Sequence, residues 1–136
     1  MRFLSLLVLL LAAPAVLGQT TVSSNITSNT TWTTAGSPYV VTTPISVSSA
    51  ATLTIQSGVQ VRFNTNASLS VSGVLAATGA TFTSNAASPA GGDWGGIAVF
   101  GQAVITGSTI RYAARSLSAS PGAVLTASTT VVELYD

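Results

Sequence analysis

Short runs of alternating apolar and polar residues dominate the chain from Tyr39 onward. In these runs Val, Ile, Leu or Phe occupies every second position, as at residues 45–48, 52–55, 59–63 and 68–71. A period of two places successive side chains on opposite faces of a strand, so each run predicts a short, half-buried β-strand. No segment keeps the 3.6-residue period of an amphipathic helix. We therefore predict an all-β fold.

The runs also resemble one another. Ala51–Ile55 (ATLTI) is similar to Ala67–Val71 (ASLSV), which begins 16 residues later, and looser copies follow at residues 81–83, 104–106 and 123–126. Repetition of short strands is typical of a solenoid, in which each unit buries its apolar face on its neighbours. An antiparallel sandwich is the competing fold. It would favour Asn-Gly or Asp-Gly hairpin turns, and the chain contains neither.

The N-terminal residues have a different character. Arg2 precedes the apolar run Phe3–Leu17, which is shorter than the roughly 20 residues that a membrane-spanning helix needs. We predict a secretory signal peptide at residues 1–18, no integral membrane span, and a secreted, extracellular or cell-surface protein. A polar lead-in segment or N-terminal cap at 19–38 and β-helix coils at 39–136 are expected to follow.

The predicted mature chain is electrically neutral and rich in Ser and Thr. It lacks Lys, His and Cys, so disulfides cannot form and stability must come from packing and backbone pairing. A neutral surface has no electrostatic footprint for nucleic acid, and we predict no nucleic-acid partner. The arginines are interpreted as solvated surface residues. The charged residues of this part of the chain are Arg62, Arg111, Arg115, Asp93, Glu133 and Asp136.

Several segments, in this order, resemble secreted bacterial right-handed parallel β-helix repeat proteins: TTWT at 30–33 with SPYVV at 37–41, ATLTI at 51–55, GVQVRF at 58–63, and GDWGGI at 92–97 with IRYA at 110–113. These proteins have the pectate-lyase-like superfamily architecture. The adhesin and surface-protein types use the helix as a stalk or binding platform, and other members are polysaccharide lyases and hydrolases. The resemblance implies a right-handed parallel β-helix (solenoid), and the length of the chain leaves room for about four to five coils at roughly 20 to 25 residues each. We expect a truncated helix or the start of a longer one, whose exposed strand edges would permit end-to-end self-association.

Residue types that catalysis requires are scarce. Without His or Lys, a Ser nucleophile lacks its ordinary base. Glycoside hydrolysis uses two facing carboxylates, and a Ca²⁺-dependent lyase needs several clustered ones. The sequence offers only Asp93, Glu133 and Asp136, and the last two lie at the end of the chain. We predict that the protein is not an enzyme and has no catalytic, cofactor-binding or metal-binding residues.

Two motifs allow a functional and a structural interpretation. Trp94 in the segment Asp93–Gly96 could stack on a sugar, but a structural corner is the favoured interpretation. Thr52 with Thr54, and likewise Thr81 with Thr83, place two hydroxyls on one strand face about 7 Å apart, as in ice-binding β-helices. Ser68–Ser70 is expected on the coil next to Thr52 and Thr54. Ordinary outward-facing Thr is favoured there because Thr suits strands.

Three segments, beginning at Asn25, Asn29 and Asn66, fit the N-glycosylation acceptor pattern, and the sequence does not settle whether any is modified. For Asn64 and Asn66 we favour positions at a coil corner. There the side chains would bond to local backbone and stack on equivalents from adjacent coils.

The leading functional prediction is a non-catalytic secreted or cell-surface β-helix module that presents a face for adhesion or binding, with carbohydrate or cell-surface components as the partners considered. The alternatives are a remnant or fragment of a carbohydrate-active, polysaccharide lyase-like or hydrolase-like β-helix protein, and, more weakly, an ice-binding protein. The predicted core comprises Ile45, Val47, Leu53, Ile55, Val59, Val61, Leu69, Val71, Leu75, Phe82, Ile97, Val99, Val104 and Ile110.

Overall fold

The computed structural model describes residues 18–135, in which fifteen short strands and one 3₁₀ turn (Thr34–Gly36) follow one another. The first 17 residues of the predicted signal peptide lie outside the described residues. The strands are β1 (Thr20–Val22), β2 (Thr30–Trp32), β3 (Tyr39–Val41), β4 (Ile45–Val47), β5 (Thr52–Ile55), β6 (Gln60–Phe63), β7 (Leu69–Val71), β8 (Val74–Thr78), β9 (Thr81–Ser84), β10 (Ile97–Val99), β11 (Gln102–Thr106), β12 (Thr109–Ile110), β13 (Leu117–Ala119), β14 (Val124–Ser128) and β15 (Val131–Val132).

The strands form three sheets, and each sheet receives one strand from each successive coil. Sheet A has the order β1-β3-β6-β9-β12-β15, sheet B the order β4-β7-β10-β13, and sheet C the order β2-β5-β8-β11-β14. Every pairing between these strands is parallel. The chain is thus an all-β parallel solenoid of about 5 turns, consistent with a right-handed β-helix. The prediction of the fold is confirmed.

Like residues stack on like residues inside the solenoid. Leu53 pairs with Leu75 in sheet C, and Ile45 pairs with Leu69 in sheet B. The predicted repeat between Ala51–Ile55 and Ala67–Val71 is therefore not the coil repeat, because the two runs lie in different sheets, C and B. Both faces bury small aliphatic residues in one shared interior. The sequence pattern alone therefore does not show whether a similar run is a strand of a different sheet or the equivalent strand of the same sheet one coil later.

The predicted core positions are buried with one exception. Val104 is 36% exposed, whereas its neighbours Ala103 and Ile105 are fully buried. The prediction for Val104 was wrong because the run Ala103–Ile105 is apolar at consecutive positions and fits either register. A shift of one residue exchanges the inner and outer faces of a strand. The ladder to β8 fixes the choice by setting Ile105 beside Ala77.

Side chains complete the backbone ladder at the N-terminal end of the solenoid. The Asn25 side-chain oxygen accepts a hydrogen bond from the Ser46 amide at 3.0 Å, and the Asn29 oxygen accepts one from the Thr52 amide at 3.0 Å. The Asn25 carbonyl serves an amide of β4, the edge strand of sheet B, and the Asn29 carbonyl serves the first amide of β5, which precedes the pairing of β5 with β2, so both amides are satisfied.

None of the helical segments in residues 18–135 has the length and apolar character needed to cross a bilayer.

Candidate functional site

Two arginines and a threonine form a column on the outer face of sheet A. Arg62 lies in β6 between Val61 and Phe63, whose side chains are fully buried, so strand alternation turns Arg62 outward. Its partner in the next coil is Thr83. The Arg111 amide donates to the Phe82 carbonyl at 3.0 Å and so extends the ladder by one coil. Since neighbouring strands lie about 4.8 Å apart, the backbones of the two arginines are separated by roughly 10 Å.

This column forms the floor of a groove of about 470 Å³. We call it the sheet A groove. Polar side chains supply most of its lining, with Tyr112 and small residues from the following loop at its margin. The lining residues are Gln60, Arg62, Thr83, Ser84, Asn85, Ala86, Ala87, Pro89, Arg111 and Tyr112.

The charge of the sheet A groove is positive, because its lining contains two arginines and no carboxylate. Arg62 Nε donates to the Gln60 side-chain oxygen at 2.8 Å, which orients the guanidinium. Arg111 Nε is buried and has no hydrogen-bond partner among the described residues. A buried donor without a partner costs free energy.

A loop closes one side of the groove. It comprises residues 85–92, which we call the groove loop, and it belongs to the longest connection between successive strands in the described chain, from β9 to β10. The Ser84 hydroxyl, at one end of the loop, donates to Asp93 Oδ2 at 2.6 Å. The amide of Ala90 donates to the same oxygen at 2.9 Å, and the amide of Ala86 donates to the Ser84 hydroxyl at 3.0 Å.

Asp93 is held as a carboxylate by these contacts. The Ser84 hydroxyl and then the Ala90 amide lower the pKa of Asp93 below its ordinary value, and partial desolvation opposes them. Hydrogen bonds donated to the charged form stabilise that form, which is the cause of the shift. The Asp93 carboxylate therefore binds the groove loop and its base through hydrogen bonds, and it does not line the groove.

A family model describing a pectate-lyase like beta helix domain matches residues 24–121. The chain belongs to this family. Comparison with curated proteins and with solved structures gives no match.

The segment Asp93–Gly96 of this pectate-lyase-like β-helix is a structural corner. Trp94 is 1% exposed, stacks on Phe63 with ring centroids 3.9 Å apart, and donates from Nε1 to the Arg111 carbonyl at 2.9 Å. Its ring therefore contributes to the core and is not available to a sugar. Gly96 adopts a φ of +101°, and a Cβ there would collide with the Arg115 carbonyl.

The hydroxyl array expected for ice binding does not form around Thr52 and Thr54. Their partners in the next coil are Val74 and Ala76, so apolar side chains interrupt the face. The expectation that Ser68–Ser70 would flank the Thr pair was wrong, since those serines border or lie in β7 of sheet B. The error has the same cause as the wrong repeat: β7 of sheet B was taken for the strand that follows β5 in sheet C.

The three asparagines of the glycosylation pattern are all exposed. Asn66 has a φ of +70°, as suits a tight corner. Nearby, Asn85 Nδ2 donates to the Asn64 side-chain oxygen at 2.8 Å across adjacent coils. The predicted stacking of corner asparagines therefore holds for Asn64.

A second, smaller groove of about 380 Å³ lies on sheet B. It is lined by Arg115, by the serines 68, 70 and 118, and by small residues including Gly95 and Gly96.

The remaining described acid, Glu133, accepts a hydrogen bond from the Tyr135 hydroxyl and lines neither groove. Residues 18–135 contain no cluster of three or more His, Cys, Asp or Glu side chains that could hold a metal ion.

Sequence reasoning missed the sheet A groove because it treated Arg62 and Arg111 as separate surface residues. A usable signal did exist. Each arginine directly follows an apolar core residue (Val61 or Ile110), and an assignment of the coils would have placed both on the same outer face.

Proposed function

We propose that this protein is a non-catalytic secreted or cell-surface β-helix module that binds an anionic carbohydrate in the sheet A groove. The observation that carries the proposal is the pairing of Arg62 and Arg111 on one face, on either side of Thr83, in a groove whose lining has no carboxylate. A guanidinium presents several donors in one plane and binds carboxylate or sulfate groups with two parallel hydrogen bonds.

The uncharged lining suits a sugar. Gln60, Thr83 and Asn85 offer donors and acceptors for hydroxyl groups, while Tyr112 and Pro89 offer apolar surface for a ring face. The family takes its name from lyases of pectate, an acidic polysaccharide, and this supports an anionic sugar polymer as the ligand class.

The residue content supports binding without turnover. Hydrolysis of a glycosidic bond uses two carboxylates around one bond, and the lining of the sheet A groove supplies none. Arginine stays protonated in proteins at neutral pH, so neither guanidinium is a ready proton acceptor for an elimination.

The test compares ligands that differ only in charge. Oligogalacturonate and its methyl-esterified form share one backbone, and the ester has lost the carboxylate charge. We expect calorimetry to detect binding of the acid, with at least tenfold weaker binding of the ester, and no unsaturated product or new reducing end after prolonged incubation. Equal affinity for both forms, or absence of binding to the acid and to a sulfated oligosaccharide, would contradict the binding proposal. Reproducible turnover would contradict the non-catalytic proposal and favour the carbohydrate-active alternative.

A further inference from the structure

The groove loop has no side chain of its own in the core. Residues 86–92 are exposed, and all are Ala, Ser, Pro or Gly. Apart from the Tyr135 side chain beside Gly91, the loop therefore buries little apolar surface, and residues 86–92 carry no charge that could hold it against the groove. Hydrogen bonds at its two ends are what remain, and the Asp93 side chain accepts two of them through one oxygen.

The base of the loop is anchored separately. The amides of Gly92 and Asp93 donate to the Tyr112 carbonyl at 3.1 and 3.0 Å, and the Asp93 carbonyl accepts from the Asn66 amide at 3.0 Å. These bonds involve only backbone atoms. Loss of the Asp93 carboxylate therefore leaves residue 93 in its coil, with its amide still donating to the Ala90 carbonyl at 3.2 Å, and frees the Ala90 amide and the Ser84 hydroxyl.

We propose that Ser84 and Asp93 are positioning residues that clamp the groove loop over the sheet A groove and so set the affinity of that groove for its ligand. The proposal rests on the proposed function. The clamp holds Ala86 and Ala90, which lie at either end of the loop, while Ala86, Ala87 and Pro89 line the groove. Loosening the clamp consequently moves a wall of the site.

Several ionisable groups lie around the loop and define the controls. Arg62, Arg111 and Tyr112 line the groove beneath it. Tyr135 lies close to Gly91 and stacks on Tyr112, and it donates to Glu133. Glu133→Gln would disturb Tyr135 and with it Gly91, so the matched control is Ser128→Ala, which removes one side-chain hydrogen bond, to the Thr106 hydroxyl, and belongs to neither the clamp nor a groove.

The first measurement needs no ligand. Hydrogen exchange at the Ala86 and Ala90 amides is compared in the wild type, Ser84→Ala, Asp93→Ala and the control variant. We expect roughly fivefold to tenfold lower protection in each clamp variant, as for the loss of one hydrogen bond, and no change in the control. The double variant should lose less than the sum of the two single variants, because the Ser84–Asp93 bond is common to both changes while each change also breaks one bond of its own. Protection in the wild type should fall as acid protonates Asp93, and in Asp93→Ala this fall should be absent.

The second measurement is the affinity for oligogalacturonate at neutral pH. Asp93→Ala removes no groove-lining side chain and should bind at least several-fold more weakly, with a loss of thermal stability no larger than the loss of one or two hydrogen bonds allows. Ser84→Ala should also bind more weakly, but it removes a lining hydroxyl as well. Unchanged loop exchange in the variants, or faster exchange with wild-type affinity, would overturn the clamp while the proposed function stands. Failure of the wild type to bind any anionic oligosaccharide would overturn the proposed function and, with it, this inference.

Discussion

Leu53 of β5 lies in register with Leu75 of β8 one coil later, and neither side chain is exposed. The same column continues to Ala103 and then to Leu125. Each leucine is covered by the coil above and the coil below, because the strands repeat at the spacing of a parallel ladder. Stability is consequently distributed along the axis, and each coil depends on its neighbours.

Truncation of Leu53 tests the stacked column. Leu53→Ala should lower the free energy of unfolding by about 2–5 kcal/mol, because it removes buried methyl groups and leaves a cavity. Leu53→Asp should prevent folding, since it buries an unpaired charge. Urea denaturation followed by circular dichroism measures both. Thr54→Ala, on the outer face of the same strand, is the control and should change stability by less than about 1 kcal/mol. Equal effects at positions 53 and 54 would refute the column.

The register of β11 makes a separate prediction. Ile105→Ala should cost about 2–5 kcal/mol of unfolding free energy, because its side chain is fully buried. Val104→Ala should change stability by no more than about 1 kcal/mol, since Val104 is 36% exposed. Denaturant melts of the two variants provide the comparison. A larger loss at position 104 would mean that the strand is shifted by one residue.

The corner at Gly96 should tolerate no side chain. Gly96 and Gly92 both have positive φ, +101° and +89°, so alanine is strained at either position. Only at Gly96 would the new methyl group meet backbone, the Arg115 carbonyl, whereas the space at Gly92 is open. Gly96→Ala should therefore lower the melting temperature clearly more than Gly92→Ala. Similar melting temperatures for the two variants would indicate that the backbone at residue 96 can move away from the Arg115 carbonyl and would contradict a rigid corner.

The lowered pKa of Asp93 predicts that the protein becomes less stable toward unfolding in acid. Its pKa is lowered in the folded state by the Ser84 hydroxyl and then by the Ala90 amide, so the unfolded chain takes up the proton first as the pH falls. The stabilisation is complete above the ordinary aspartate pKa of about 4 and is lost as the pH falls through the lower folded-state value. Urea midpoints should decline below about pH 4, and the decline should be smaller in Asp93→Asn. Parallel profiles for the two proteins would contradict this assignment.

The arginine column predicts how binding depends on charge. Arg62→Gln and Arg111→Gln should each weaken binding of oligogalacturonate by about tenfold or more, as for a charge-assisted hydrogen bond. Both should also reduce the dependence of affinity on salt, because fewer charges are paired in the complex. Arg115→Gln, in the sheet B groove, is the matched control and should bind as the wild type does. Equal losses for all three variants would indicate attraction by net charge alone.

The local pattern contained enough information for the fold class and most of the core. The alternation of apolar and polar residues marks Val61 and Phe63 as inward-facing even when the neighbouring strands are unknown, because every second side chain of a strand lies on the same face. The alternation gives no answer at Val104, because its neighbours in the chain are apolar as well and either face of the strand could be the buried one. It also could not tell that Ala51–Ile55 and Ala67–Val71 occupy different sheets, since both face one interior.

The candidate site is formed by residues of different coils, which only the pairing of strands brings together. Arg62 and Arg111 become neighbours only through the alignment of β6, β9 and β12, and the β9–β10 connection adds the wall. Composition misled here, because a neutral chain still concentrates positive charge in one groove. The link between Ser84 and Asp93 spans a loop of small residues that has no periodic signal.

Chemical-shift mapping of the isotope-labelled protein tests the central claim most directly. Titration with oligogalacturonate should perturb the amides of β6, β9 and β12 and of the groove loop, with the largest changes around Thr83, and should leave β4 and β7 of sheet B unchanged. Perturbations confined to sheet B or sheet C, or none at saturating ligand, would contradict a binding face built on the two arginines.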